Sequence, residues 1–533
     1  MRNHPQRFPR LSRLFLLGLM ACGDNAVDPQ PSQECASCSP SEAGVQAPAP
    51  SPCDAGDACF PLDGGLQLPP PSCDSGSGCV PTDGGSIVLP TPGCDTAADP
   101  RDTPSCVTEQ AGVFVDSTGN DANPGTRDAP LKTIGAALAK RNGRSRIYLC
   151  QGIYAESVEL TSAVSLHGGF ACGSWSHIGK LVYLLPPPGA YAIHVDGVQG
   201  VALSDLAFVA AAGTSQARSS VAAFVSRSSE VVFRRVLLQA QTAASGTPGS
   251  GGFPGTHDIY PGGNGSNSNE HGGDTRICTC SSGDITIGGA GGDATAGTTT
   301  GGNGGPVGGV AVPPNAVGGG QTAEQCAKGD SHQMAGSQGA TGNHAPPLPV
   351  IGYVDAEHGF VPADGTAGGP GSVGQGGGGG GASAPNDPGG GGSGGCGGCG
   401  ASGSFGGQGG GASIGLLMIE ASIRLENSFV TTAKAGDGGQ GGRSASGGAG
   451  GQGGTGFGGG CTGGSGGQGG ASGAGGGGAG GISIGIAFRG SAPELDGFTR
   501  DNVKVGAAGA AGGGGAPGVN DGPSGIAIAV GPI

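Results

Sequence analysis

Glycine limits what this chain can fold into more than any other feature. It supplies 124 of the 533 residues, about three times the usual share. Each glycine in a helix interior costs about 1 kcal/mol relative to alanine, so a helical protein is excluded. Collagen is excluded too, because no strict Gly-X-Y repeat runs through the chain. Glycine and proline together make up about 31%, a level usually read as low complexity. Aromatic residues are 4% and charged residues 12%, so a uniform globular enzyme of this length is not expected. The net charge of −15 lacks the basic face that nucleic acid requires. Seventeen cysteines without zinc-type spacing point to an oxidising compartment.

The N-terminus reads as a secretion leader over residues 1–22. Arg2, Arg7, Arg10 and Arg13 precede a short apolar core at 14–20, too short to span a bilayer. It ends in Leu19-Met20-Ala21-Cys22, which resembles the bacterial lipoprotein lipobox. That resemblance implies lipidation of Cys22, and Gly23 after it implies the outer membrane. Removing Cys22 from the count leaves an even 16 cysteines for disulfides. The expected location is therefore the outer membrane, lipid-anchored and either surface-exposed or facing the periplasm. The expected partners are the membrane, through its anchor, and surface polysaccharide or other envelope proteins.

Residues 23–106 form a stalk rich in Pro, Asp and Cys. The stretch from Cys53 to Cys59 recurs from Cys73 to Cys79, each followed by a proline and Asp-Gly-Gly. Units this short need disulfides to hold them. The simplest pairing is local: Cys35 with Cys38, Cys53 with Cys59, Cys73 with Cys79, and Cys94 with Cys106. Calcium is disfavoured because the D-x-D-x-D-G spacing is missing, so the stalk reads as a spacer.

Composition changes near Gly112. A strand pattern (113–116) leads into a turn-rich loop, Ser117 to Thr126. Pro130-Leu131-Lys132-Thr133-Ile134 follows, with Ile134, Ala137 and Leu138 on one helical face. Then come strand patterns at 147–149 and 164–166, with Gly152-Ile153-Tyr154 between them. This order resembles the pectin-lyase-like, DUF1565-type right-handed parallel β-helix. The resemblance implies an all-β solenoid whose first coil is capped by a short helix at 132–140. Further strands are expected at 192–195, 201–209, 221–225 and 231–238. Cys150 and Cys172 flank the 164–166 strand and are expected to pair.

From Gly246 onward, glycine tracts alternate with islands that repeat one another. Ser413-Ile414-Gly415-Leu416 matches Ser483-Ile484-Gly485-Ile486, and 524–530 is a shorter relative. The reading is a β-helix interrupted at one equivalent corner: solenoid at 111–245, insertion at 246–411, coil at 412–435, insertion at 436–481, coil at 482–505, insertion at 506–522, and a terminal strand at 523–533. The insertions resemble PGRS-like surface proteins in composition. Disordered tracts and packed polyglycine-type helices are both compatible with them, although low charge and scattered cysteines suit an ordered, cross-linked unit.

Few motifs look chemical. Gly411-Ala412-Ser413-Ile414-Gly415 and Gly481-Ile482-Ser483-Ile484-Gly485 fit G-x-S-x-G, but the strand–turn–helix context of a nucleophile elbow is missing. Cys396-Gly397-Gly398-Cys399 reads as structural. His257, His271, His332, His344 and His358, with Asp258, Glu270, Asp274, Asp355 and Glu357 nearby, show no tight ligand spacing. No cofactor or metal is expected. Asp196, Asp205, Glu230, Arg234 and Arg235 are the candidates for acid–base work on polysaccharide, yet they form no family active-site motif. The expected role is non-enzymatic: structural, adhesive or glycan-contacting. The alternative is a polysaccharide lyase or glycoside hydrolase working in a groove of the β-helix. That alternative requires Asp196, Asp205 or Glu230 to converge with Arg234 or Arg235.

Overall fold

The computed structural model describes residues 98–256, 262, 271–294, 299–306, 318–331, 334–383 and 389–533. The expected leader with Cys22, the pairs Cys35–Cys38, Cys53–Cys59 and Cys73–Cys79, and Cys94 lie outside the described residues. Cys106 is disulfide-bonded.

Short β-branched segments bounded by Gly, Ser and Asp build three parallel sheets. Sheet A stacks Gly112–Val115, Arg146–Cys150, Ser165–Phe170, Ala202–Ser204, Val231–Arg234, Ile423–Glu426 and Glu494–Leu495. Sheet B stacks Ile153–Tyr154, Val182–Leu184, Leu206–Val209, Leu237–Gln239, Phe429–Thr431 and Val503–Lys504. Sheet C stacks Val158–Leu160, Ile193–Asp196, Ser220–Ser226, Ser413–Ile419, Ser483–Arg489 and Ala527–Pro532. The chain visits A, B and C in turn, which makes a parallel β-helix. Its interior is a column of Val, Leu, Ile and Phe, among them Ile147, Leu166, Leu203, Phe233 and Leu425.

Corners explain where the sequence expectation and the structure differ. Residues 201–209 and 231–238 each split into two strands, because Asp205 (φ 58°) and Arg235 (φ 53°) turn the chain in the left-handed region. Asn427 (φ 48°) occupies the equivalent place one coil on. The capping helix spans Ile134–Ala139, shorter than the expected 132–140, because the Thr133 side chain accepts from Ala136 N and starts it there.

All three insertions leave between sheets B and C. Their glycine segments run side by side, and each bonds to any one neighbour at every third residue, the period of a polyproline-II-type helix. Gly377, Gly378 and Gly379 show the arrangement. They donate to Gly395, Met334 and Gly302 at 2.8, 2.7 and 2.8 Å. They accept from Gly289, Gly464 and Gln321 at 2.9, 2.8 and 2.9 Å. Three consecutive residues thus join six neighbouring segments, and the strand sits inside a hexagonal lattice. A Cβ on Gly379 would overlap the carbonyl of Ala290.

Side chains obey the same period. In the second insertion Asp437, Gln440, Arg443, Ser446, Ala449, Gln452 and Thr455 recur every third residue, and Gln440, Arg443, Ser446, Ala449, Gln452 and Thr455 are exposed. This strand, with one open side, keeps glycine at the other positions except Ser444 and Ala445. A fully enclosed strand is almost all glycine. Three disulfides pin the lattice: Cys278–Cys396, Cys280–Cys399 and Cys326–Cys461. The last joins the first insertion to the second.

Candidate functional site

The outer face of sheet A carries a row of polar side chains. Tyr148, His167, Ser204, Arg234 and Glu426 share one register across five successive strands. Residues 98–106, which the sequence places at the end of the stalk, lie across this face. The Ala98 carbonyl accepts from Arg146 Nη2 at 2.8 Å. Asp99 reaches Arg235 Nη2 at 2.7 Å and Arg234 Nη1 at 3.5 Å. Behind them the Asp205 carboxylate takes both Arg235 Nε and Nη2, at 2.9 and 2.7 Å. Arg234 Nε donates to Glu426 at 2.6 Å, and His177 Nε2 lies 3.3 Å from Asp205.

Electrostatics tighten this cluster. Burial pushes the Asp99 carboxyl up, but the Arg101 amide and the Arg235 guanidinium outweigh it and hold the group below its ordinary value. Burial works against the Arg235 charge, yet Asp205 and Asp99 raise it. His167 is hydrogen-bonded through Nδ1 to Ser204 Oγ at 2.8 Å. Burial, with help from the nearby Arg146 charge, pushes it down from 6.5 to about 3. A folded-state value this low means that the unfolded chain takes up the proton first. Stability is then full above pH 6.5 and falls as pH drops toward 3, by about 1.4 kcal/mol per pH unit for one proton. Urea unfolding between pH 7 and 5 is expected to show a shallower pH slope in His167→Gln than in the parent chain. Equal slopes would rule His167 out as the source.

Of the five sequence candidates, Asp205, Arg234 and Arg235 come together. Asp196 does not join them: it pairs with Arg227 and accepts from Ser226 Oγ at 2.6 Å, in a separate ion pair. Glu230 is exposed at a left-handed corner (φ 54°), its N–H donating to Ser422 Oγ at 3.1 Å. Asp205 and Arg235 are themselves corner residues, one coil apart. Asp99 and His177 gave no signal in the sequence. Glu426 could have been found by aligning Glu426-Asn427-Ser428 with Arg234-Arg235-Val236.

A cleft of about 580 Å³ opens between Pro100, Pro104 and Val107 on one side and Phe170, Trp175 and His177 on the other. Trp175 itself is buried, its Nε1 donating to the Arg127 carbonyl at 3.1 Å.

The loop, helix and first strands close the N-terminal end of the solenoid. Asp121 accepts from the amides of Lys132 and Thr133, both at 2.9 Å. Glu156 accepts from those of Ile134 and Gly135, at 2.9 and 3.1 Å. Two carboxylates therefore take up the free N–H groups at the start of the capping helix. Residues 117–172 match the family model described as a protein of unknown function, DUF1565. The matched segment is this cap together with the first turns, ending at Cys172, which is disulfide-bonded to Cys150. No curated protein and no solved structure gives a match to the chain.

The remaining motifs have structural places. Ser413 and Ser483 are fully buried partners in sheet C, and their hydroxyls donate to the carbonyls of Gln241 and Ala433. Gly415 and Gly485 face Val430 and Val503 in the narrow interior, where a Cβ would collide with those valines. Cys396 and Cys399 bond not to each other but to Cys278 and Cys280. His271 lies 2.6 Å from Asp293, His358 lies 3.2 Å from Asp355, and His344 accepts from Ala474 N. His257, Asp258, Glu270 and His332 lie outside the described residues. Among the described residues, Asp116, Cys150 and Cys172 form a group close enough for a metal, but both sulfurs are committed to a disulfide.

Proposed function

We propose that this protein is a non-enzymatic, lipid-anchored surface protein. In this reading the β-helix holds the glycine lattice as a rigid platform for structural or adhesive contact with glycan or envelope proteins. The hexagonal bonding of the lattice supports the reading. A scaffold whose strands bond to each neighbour at every third residue and are tied by three disulfides presents its outward side chains at a repeat of about 9 Å. Such spacing suits many weak contacts made at once, which avidity turns into firm attachment.

The meeting of Asp205 with Arg234 and Arg235 favours the second reading, a polysaccharide lyase or glycoside hydrolase. One experiment separates the two. The oxidised full chain is applied to a glycan array, and each glycan retained is then assayed for release of reducing sugar. Retention without release is the expected result. Release that disappears in Asp205→Asn would replace the adhesive reading with the enzymatic one.

A further inference from the structure

Residues 505–515 occupy a lane between two strands of the second insertion. On one side the amides of Ala435, Gly438 and Gly441 donate to the carbonyls of Ala507, Ala510 and Gly513 at 2.9, 2.9 and 2.8 Å. On the other, the amides of Gly509, Gly512 and Gly515 donate to the carbonyls of Gly481, Gly478 and Gly475 at 3.0, 2.9 and 2.9 Å. The chain then turns out of the lane, Val519 N closing a turn on the Ala516 carbonyl.

The two flanking strands continue without it. Next in the donor series come the amides of Gly447, Gly450 and Gly453, after Ser444. Next in the acceptor series come the carbonyls of Gly469, Gly466 and Gly463, after Ser472. None of these N–H or C=O groups bonds to another backbone group among the described residues. They repeat the spacing that residues 505–515 already use.

We propose that this continuation of the lane takes up one more extended strand, supplied by another chain and carrying glycine at every third residue. The strand already in the lane sets the requirement. A Cβ on Gly509, Gly512 or Gly515 would run into the carbonyls of Gly436, Gly439 or Gly442, whereas Ala507, Ala508 and Ala510 fit in the other two phases. The fitting partner is thus a Gly-x-x segment with small x, and it binds as a peptide adds to a free sheet edge. Each bond replaces one to water and adds little alone, so binding grows with the number of triplets engaged. The proposal rests neither on the lipid anchor nor on glycan contact.

The test uses the oxidised full chain and a fluorescent peptide with the sequence of residues 506–515. The control peptide carries Gly509→Ala, Gly512→Ala and Gly515→Ala. Fluorescence anisotropy should show binding of the first peptide and a loss of about tenfold or more with the second. Hydrogen exchange should show new protection at Gly447, Gly450 and Gly453. Equal binding of the two peptides, protection elsewhere, or no binding at millimolar peptide would overturn the proposal.

Discussion

Gly379→Ala should unfold the centre of the glycine lattice while leaving the β-helix standing. The new methyl group would enter the carbonyl of Ala290. Backbone on a neighbouring strand cannot rotate away as a side chain can. The expected cost is about 3 kcal/mol or more, at the upper end of overpacking effects. The matched control is Gln440→Ala, where the side chain is exposed and the expected change is within about 0.5 kcal/mol. Hydrogen exchange reads the difference directly. Amides of Gly377, Gly378 and Gly379 should lose protection in the first variant and keep it in the second, while Leu203 and Phe233 inside the β-helix stay protected in both. Parent-like exchange in Gly379→Ala would mean that the strand is not enclosed as described.

The second large effect concerns the link between insertions. Cys326 and Cys461 are 135 residues apart in sequence, and a loop of that order restricts the unfolded chain by about 5 kcal/mol in the entropy treatment. The lattice has little apolar surface to offset such a loss. Replacing both cysteines (Cys326→Ser with Cys461→Ser) should lower the denaturant midpoint of the lattice and admit protease to the glycine strands. The β-helix core, made of stacked aliphatic residues, should survive as a fragment. Unchanged proteolysis of the double variant would show that hydrogen bonds alone hold the two insertions together.

The parts of the fold that were legible in the sequence share one cause. Ser413-Ile414-Gly415 and Ser483-Ile484-Gly485 repeat because they fill the same register of sheet C. The loop from Ser117 to Thr126 and the helix after it stand out because the cap uses Asp121, Thr133 and Glu156 for specific hydrogen bonds. Corners were not legible. Asp205 and Arg235 interrupt strands without glycine or proline to mark the turn, so 201–209 and 231–238 read as single strands. The state of the insertions was open as well, because hydrogen bonding between glycine strands depends on neighbours far away in sequence. Gly378, for example, donates to Met334 and accepts from Gly464. Cysteine pairing followed that packing: Cys396 faces Cys278 and Cys399 faces Cys280 because their strands lie side by side.

The candidate site was legible only in part. Asp205, Arg234 and Arg235 were found because charged residues stand out among apolar strands. Asp99 belongs to a segment whose composition reads as spacer, and its carboxylate meets Arg234 and Arg235 only because residues 98–106 fold back over sheet A. The register that joins Tyr148, His167, Ser204, Arg234 and Glu426 becomes visible once successive coils are aligned.

The three-residue period of the lattice governs how its length can change. Deleting one residue from the 437–455 stretch would rotate every later position by about 120°. Gln452 and Thr455 would then point into adjoining backbones, and glycines would face water in their place. Deleting a whole triplet would shorten the strand by about 9 Å and leave every orientation intact. Insertions and deletions in this half of the molecule should therefore be tolerated in threes, a reading frame kept by packing rather than by the code.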